Sequence, residues 1–295
     1  MTWRAALAPA LFPLLLSCID FHRSKEQIHD ALSGRQVQEA TLPSGAYSIH
    51  TLAVGPSTGR PVLFIHGSPG SWDNYLDVIG YLDSSSEPTE KEGDSEPLLL
   101  IFYDRPGFSR TSPSRALPDL KGQAEAARTV LQHYSSRPAI TVGHSYGGPV
   151  AMELALMAPE AVSSLVLIGA SVDPSLEELR WYNYAAQALS PVLPTELVNS
   201  NEEMLPVKAD LKKQEETLKE ARKMPPVYVL HGTDDSLVPV ENVNYIYSML
   251  KGRSPLLCIR TLRGEDHFIP WTDARLLAET VREAQSGRCE AEHSY

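Results

Sequence analysis

A serine hydroxyl is a weak nucleophile at neutral pH. It becomes useful when the backbone presents it to a base and to donors for the charge it creates. Gly143-His144-Ser145-Tyr146-Gly147, with a further glycine at 148, has the small neighbours such a presentation needs. This G-x-S-x-G string lies between an apolar run, Ala139 to Val142, and a helix-forming run from Gly147 to Met157. A tight strand-to-helix turn strains the backbone at the serine, so Gly143 and Gly147 keep the flanks small. The helix start behind it favours developing negative charge. Ser145 is the candidate nucleophile.

The remaining chemistry needs a base, an acid and an oxyanion site. His66-Gly67-Ser68-Pro69-Gly70 follows the apolar run Val62 to Ile65. A tetrahedral intermediate needs two pre-aimed N–H donors. The Ser68 amide in this loop and the Tyr146 amide after the nucleophile are the candidates. Gly67 keeps the loop unobstructed, and His66 reads as a brace. His267 lies in Gly264 to Trp271, directly after the last strand-like run, and is the candidate base. Two adjacent carboxylates, Asp234 and Asp235, follow the run Val227 to Leu230, and Asp173 follows Leu165 to Ile168 as a rival acid. An acid beside the base fixes its tautomer and stabilises its charged form. Asp104 to Ser109 follows Leu98 to Tyr103 and reads as a turn shaping the pocket floor, with a carboxylate role for Asp104 the weaker alternative.

These residues all follow short apolar runs, so the runs must be strands that end on one side. Strands are expected at Gln36 to Leu42 and Ala46 to Val54 around a turn at 43–45, then at each run named above and at Leu256 to Leu262. Helices are expected at Ser24 to Leu32, Trp72 to Leu82, Gln123 to Tyr134, Gly147 to Met157, Val240 to Leu250 and Asp273 to Ala284. Continuous apolar strands alternating with helices indicate an α/β fold with a mostly parallel central sheet covered by helices on both faces. Two stretches break that rhythm. Ser84 to Glu96 is polar and acidic and reads as a surface loop. Residues 173–225 open aromatic and apolar, continue as a charged helix over Lys208 to Lys223, and read as a small helical cap over the strand ends.

From about Val37 onward the chain resembles the α/β-hydrolase family of serine hydrolase type. The similarity is to bacterial members with an HGSPG loop, a DRPGFS turn, a GHSxGGP elbow and a GxxDxxVP acid loop. Ser171 to Pro174 and Arg180-Trp181-Tyr182 are similar to a group of bacterial lipoprotein hydrolases. The resemblance implies an α/β-hydrolase fold and makes Asp235, third after Gly232, the acid. Loop order agrees, because Asp235 precedes the loop of His267, whereas Asp173-Pro174 reads as a helix start capped by a short acid. The implied activity is hydrolysis of a carboxylic ester or related acyl bond through an acyl-enzyme on Ser145, with no cofactor and no metal. The alternatives are a proline iminopeptidase-like aminopeptidase or a C–C bond hydrolase on the same triad. A non-catalytic binding protein on this fold is the rival of another class.

Composition narrows the partners. A formal net charge of −11 disfavours nucleic acid and leaves a small acyl-bearing molecule as the expected substrate. Residues 1–17 carry a basic start and an apolar stretch of signal-peptide length ending before Cys18, like a bacterial lipobox. Lipid on Cys18 would anchor the chain to the bacterial cell envelope, its only expected membrane contact. The expected organisation is a linker and helix at 18–35, a hydrolase core at 36–172 and 226–285, the cap at 173–225 and a polar tail at 286–295. Cys258 reads as core, Cys289 lies in the tail, and their pairing is left open.

Overall fold

The computed structural model describes residues 22–83 and 96–290. Residues 1–17, Cys18 and most of the stretch 84–96, with the leader, lipidation and surface-loop readings that fall on them, therefore lie outside the described residues. Helix α1 (Lys25–Leu32) precedes the hairpin β1 (Val37–Ser44) and β2 (Tyr47–Val54). The alternating part follows as β3 (Arg60–Ile65), a 3₁₀ turn at Trp72–Tyr75, α2 (Leu76–Leu82), β4 (Leu98–Tyr103), α3 (Leu120–Tyr134), β5 (Ala139–His144), α4 (Gly147–Met157) and β6 (Val162–Ile168). The cap holds α5 (Trp181–Ala188) and α6 (Thr195–Glu220). The chain then returns through β7 (Val227–Gly232), α7 (Asn242–Leu250), β8 (Leu257–Leu262), the short α8 (Ile269–Thr272) and α9 (Ala274–Ser286).

The eight strands form one sheet in the order β1-β2-β4-β3-β5-β6-β7-β8, antiparallel at β1-β2 and β2-β4 and parallel elsewhere. This is the α/β-hydrolase fold. Strands β3 to β7 read as unbroken apolar runs because helices cover both faces. Val130, Val150, Leu211 and Ile246 pack on one face, and Leu76, Ile79, Leu277 and Val281 on the other. The chain leaves β3 for β4 on one side and returns to β5 on the other. The strand order thus reverses at β3, and a crevice opens at the carboxyl ends of β3 and β5.

Two local expectations are corrected, and one left open is decided. The first hairpin turns at Gly45-Ala46 rather than at 43–45, since Ser44 pairs with Tyr47 and Gly45 takes the positive φ of 57°. The charged helix is the second half of a 26-residue helix beginning at Thr195, with Pro206 inside it. Packing of Val207, Leu211 and Leu218 against the core holds that helix together despite the proline. The tail is stapled, because Cys258 on β8 and Cys289 are joined as a disulfide.

Candidate active site

Ser145 sits directly after β5 with φ 55°, a left-handed conformation that non-glycine residues rarely adopt. Its surroundings enforce that turn. A Cβ on Gly143 would lie 2.3 Å from the Gly147 carbonyl oxygen, and one on Gly147 would lie 2.2 Å from the Ile65 oxygen. Only hydrogen fits at either position. The Ser145 amide donates to the Ile168 carbonyl at the end of β6 (2.9 Å), which ties the turn to the neighbouring strand. Gly67 lies against the serine, since a Cβ there would sit 3.0 Å from the Ser145 Cβ. The loop after β3, with Ser68 in it, and the start of α4, with Tyr146, therefore flank the same hydroxyl.

Asp235 and His267 meet on the loops after β7 and β8. His267 Nδ1–H donates to Asp235 Oδ2 at 2.7 Å. The other carboxylate oxygen takes the amides of Leu237 (2.9 Å) and Val238 (2.8 Å). Burial pushes the Asp235 carboxyl up. The hydrogen bond from His267, its charge and these two amides outweigh burial and hold it below the ordinary value. With Nδ1 engaged by Asp235, Nε2 is the ring nitrogen that makes no hydrogen bond among the described residues. Gly169, next after Ile168, links this pair to the serine: a Cβ there would be 3.2 Å from both Asp235 Oδ2 and His267 Nδ1. His144 adds a second link, its Nε2–H donating to the His267 carbonyl at 2.9 Å. Burial, and then the nearby His267, lowers His144 to about 3, so it stays a neutral donor.

The rival acids lie elsewhere. Asp234 is exposed and accepts from the Thr233 hydroxyl at 2.9 Å. Asp173 caps no helix, contrary to expectation. Residues 174–176 form only a turn, in which its side chain accepts the Ser175 amide at 2.7 Å. Asp104 is fully buried and takes the Trp72 amide (3.0 Å) and His50 Nδ1–H (2.7 Å), so it fastens the loop behind the crevice.

Two charged residues emerge that the sequence reading passed over. Arg105, fully buried, donates through Nε to the His66 carbonyl and through Nη2 to the Gly67 carbonyl, both at 2.9 Å. Its two terminal nitrogens grip Glu203 of α6 at 2.6 and 3.0 Å. Its planar face lies 4.8 Å from the ring centres of both Phe108 and Tyr146. Burial works against the guanidinium charge, yet Glu203 raises Arg105 above its ordinary value. His66 completes the brace. It accepts the Arg105 amide at Nε2 (2.9 Å) and donates Nδ1–H to the Gly67 carbonyl (2.8 Å). Burial and the Arg105 charge keep it neutral, well below its ordinary value. One guanidinium thus fixes the Gly67-Ser68 loop to the root of the cap. The Asp-Arg pair closing the apolar β4 was the available signal. Glu203 had none, being one acid among 37.

Residues 60–197 match the family profile described as alpha/beta hydrolase fold. The chain is similar to a proline iminopeptidase of Lactobacillus delbrueckii subsp. bulgaricus, 33% identical over 144 residues that make up 45% of this chain and 43% of that protein. It is similar also to a homoserine O-acetyltransferase of Thermus thermophilus, 32% identical over 111 residues that cover 35% and 28% of the two chains. The chain thus spans less than half the length of these curated relatives. Among solved structures, a putative lipase from Acinetobacter baumannii superposes with a TM-score of 0.64 at 20% identity, covering 92% of this chain and 100% of that one. A 2-hydroxy-6-oxo-6-phenylhexa-2,4-dienoate hydrolase from a Rhodococcus species gives 0.64 at 17% identity, covering 85% and 99%. Sheet order, site position and these likenesses agree that the chain has the α/β-hydrolase fold.

Proposed function

We propose that this protein is a serine hydrolase that cleaves a carboxylic ester or a related acyl bond. The reading is carried by one observation: Ser145 is held at φ 55° on the strand-to-helix turn, beside a pair in which Asp235 engages Nδ1 of His267 and so leaves Nε2 as the available ring nitrogen. Ser145 Oγ attacks the acyl carbonyl while His267 Nε2 takes its proton, and the Ser68 and Tyr146 amides receive the oxyanion. The tetrahedral adduct collapses, and His267 returns the proton to the leaving alcohol. Water then gives a proton to His267 and adds to the acyl-enzyme. The acid departs, and Ser145 Oγ recovers the proton. Asp235 orients the imidazole and balances its charge. Arg105 and Glu203 hold the loop that bears the Ser68 amide. The leader and Cys18 extend this proposal to a lipid-anchored enzyme of the bacterial cell envelope.

Similarity to a proline iminopeptidase favours a second reading, cleavage of an aminoacyl amide by the same residues. A panel of p-nitrophenyl esters of graded chain length, run beside aminoacyl amides, separates the two. A fluorophosphonate probe should label the wild type, and Ser145→Ala should abolish both labelling and turnover. An unlabelled, folded wild type that turns over neither substrate class would leave a binding protein on this fold.

A further inference from the structure

Helix α5 is built inside out. Its one buried residue is polar, Asn183, which donates to Asn201 of α6 at 3.0 Å and takes the Asn201 amide on its own carbonyl at 3.0 Å. Its outward side carries Trp181, Tyr182 and Tyr184, at 60%, 47% and 57% exposure, with Leu179, Leu189 and Val192 exposed on either side. A surface helix in water normally turns its apolar stripe inward, and contiguous exposed apolar patches mark a contact surface. Residues 179–195 hold no acidic side chain, in a chain with 37 of them and a net charge of −11. This stretch is therefore the part of the cap least hindered from leaving water.

The start of the described chain indicates what covers it. His22 hydrogen-bonds Glu196 at 3.2 Å, so the chain enters at the root of the cap, four residues after Val192 in sequence. Cys18 precedes His22 by four residues, which extend over at most about 14 Å. The apolar run Ala5 to Leu16 lies just upstream. A lipid or apolar segment at this end would meet a bilayer beside the aromatic face. Trp and Tyr are the side chains that favour the bilayer–water boundary, where an apolar ring and a polar tip are both satisfied.

We propose that the Leu179–Val192 face of the cap docks on a lipid bilayer, so that the acyl chains reaching Ser145 come from membrane-resident esters. The substrate clause rests on the acyl-hydrolase reading above; the docking clause does not. The acidic body of the chain points to a zwitterionic rather than an anionic surface.

The test uses the full chain with phosphatidylcholine vesicles whose acyl chains carry bromine, which quenches tryptophan on contact. With Trp3→Phe in the background, to silence the tryptophan beside the apolar run, the chain should show quenching that is lost when Trp181→Phe is added. Equal quenching in both proteins would place the lipid contact elsewhere and overturn docking by this face. In the second arm, Trp181→Ser/Tyr182→Ser/Tyr184→Ser should hydrolyse a vesicle-embedded p-nitrophenyl palmitate at least about tenfold more slowly, since even one large ring withdrawn from a bilayer costs on the order of a tenfold in partitioning. Its hydrolysis of soluble p-nitrophenyl acetate and its melting midpoint should match wild type. Equal loss on both esters would overturn the substrate clause. A wild type that hydrolyses neither ester would remove the acyl-hydrolase reading, and the quenching arm would still decide docking.

Discussion

Two buried polar pairs flank Ser145, and they are built for opposite ends. In the Asp235–His267 pair, three hydrogen bonds saturate the carboxylate, while one imidazole nitrogen has no hydrogen bond among the described residues. In the Arg105–Glu203 pair, the cation is committed to two carbonyls, a carboxylate and two rings. Both pairs join loops or helices distant in sequence, by 32 and 98 residues. One leaves an imidazole nitrogen available; the other commits a permanently charged guanidinium to holding the loop and helix together. The lesson is that burial and an ion pair do not mark a reactive group. A lone pair left without a donor does.

The largest expected effect tests the reactive side. Asp235→Asn should lower turnover by about four orders of magnitude with little change in melting, because an amide at that position holds the wrong histidine tautomer. Near-normal turnover would remove Asp235 from the mechanism. The structural side should show the reverse pattern. Glu203→Gln leaves the Arg105 charge uncompensated and should cost about 3 to 5 kcal/mol of stability. Turnover should fall by no more than about a hundredfold as the Ser68 amide shifts. Replacing both partners by Arg105→Met/Glu203→Leu should recover most of the stability, and a double variant less stable than the single one would refute this account.

A third pair, partly exposed, extends the comparison to pH. Hydrogen bonding to Glu196 raises His22 to about 9 against the opposing effect of burial. A folded value above the ordinary 6.5 means that the stabilisation is complete below that pH and is lost as pH rises toward about 9. The melting difference between wild type and His22→Gln should therefore be positive at pH 6 and vanish above about pH 9. A difference that grew with pH would exclude the pairing. The smallest effects belong to the rival acids. Asp173→Asn and Asp234→Asn should each stay within about 0.5 kcal/mol of wild type, with turnover nearly unchanged. A collapse in Asp173→Asn would move the acid to the loop after β6.

Much of the site's framework was legible because it is local. The glycines around Ser145 are required because a Cβ on either would come within 2.2 to 2.3 Å of a backbone oxygen, and that crowding leaves its mark in sequence. The apolar runs of β3 to β7 announce strands buried on both faces. The cap was less legible. Helix α6 carries Pro206 and a mixed charged surface, so its true start at Thr195 depends on what it packs against. The disulfide was open for the same reason, since β8 and the tail meet only once α9 has folded back.

The amino-acid order determined by itself that strands alternate with helices, that a serine on a tight turn follows one strand, that a histidine follows the last, and that candidate acids follow the two before it. Each of these rests on steric or periodic rules acting over a few residues. Tertiary structure decided which acid reaches His267, because Asp173, Asp234 and Asp235 each sit after a strand and differ only in where the folded loop points them. It also decided that Arg105, one residue past an apolar strand, would meet Glu203 across 98 residues of sequence. A charge pair formed at that separation has no local signature, since its geometry exists only after the sheet has brought the loop and the cap together.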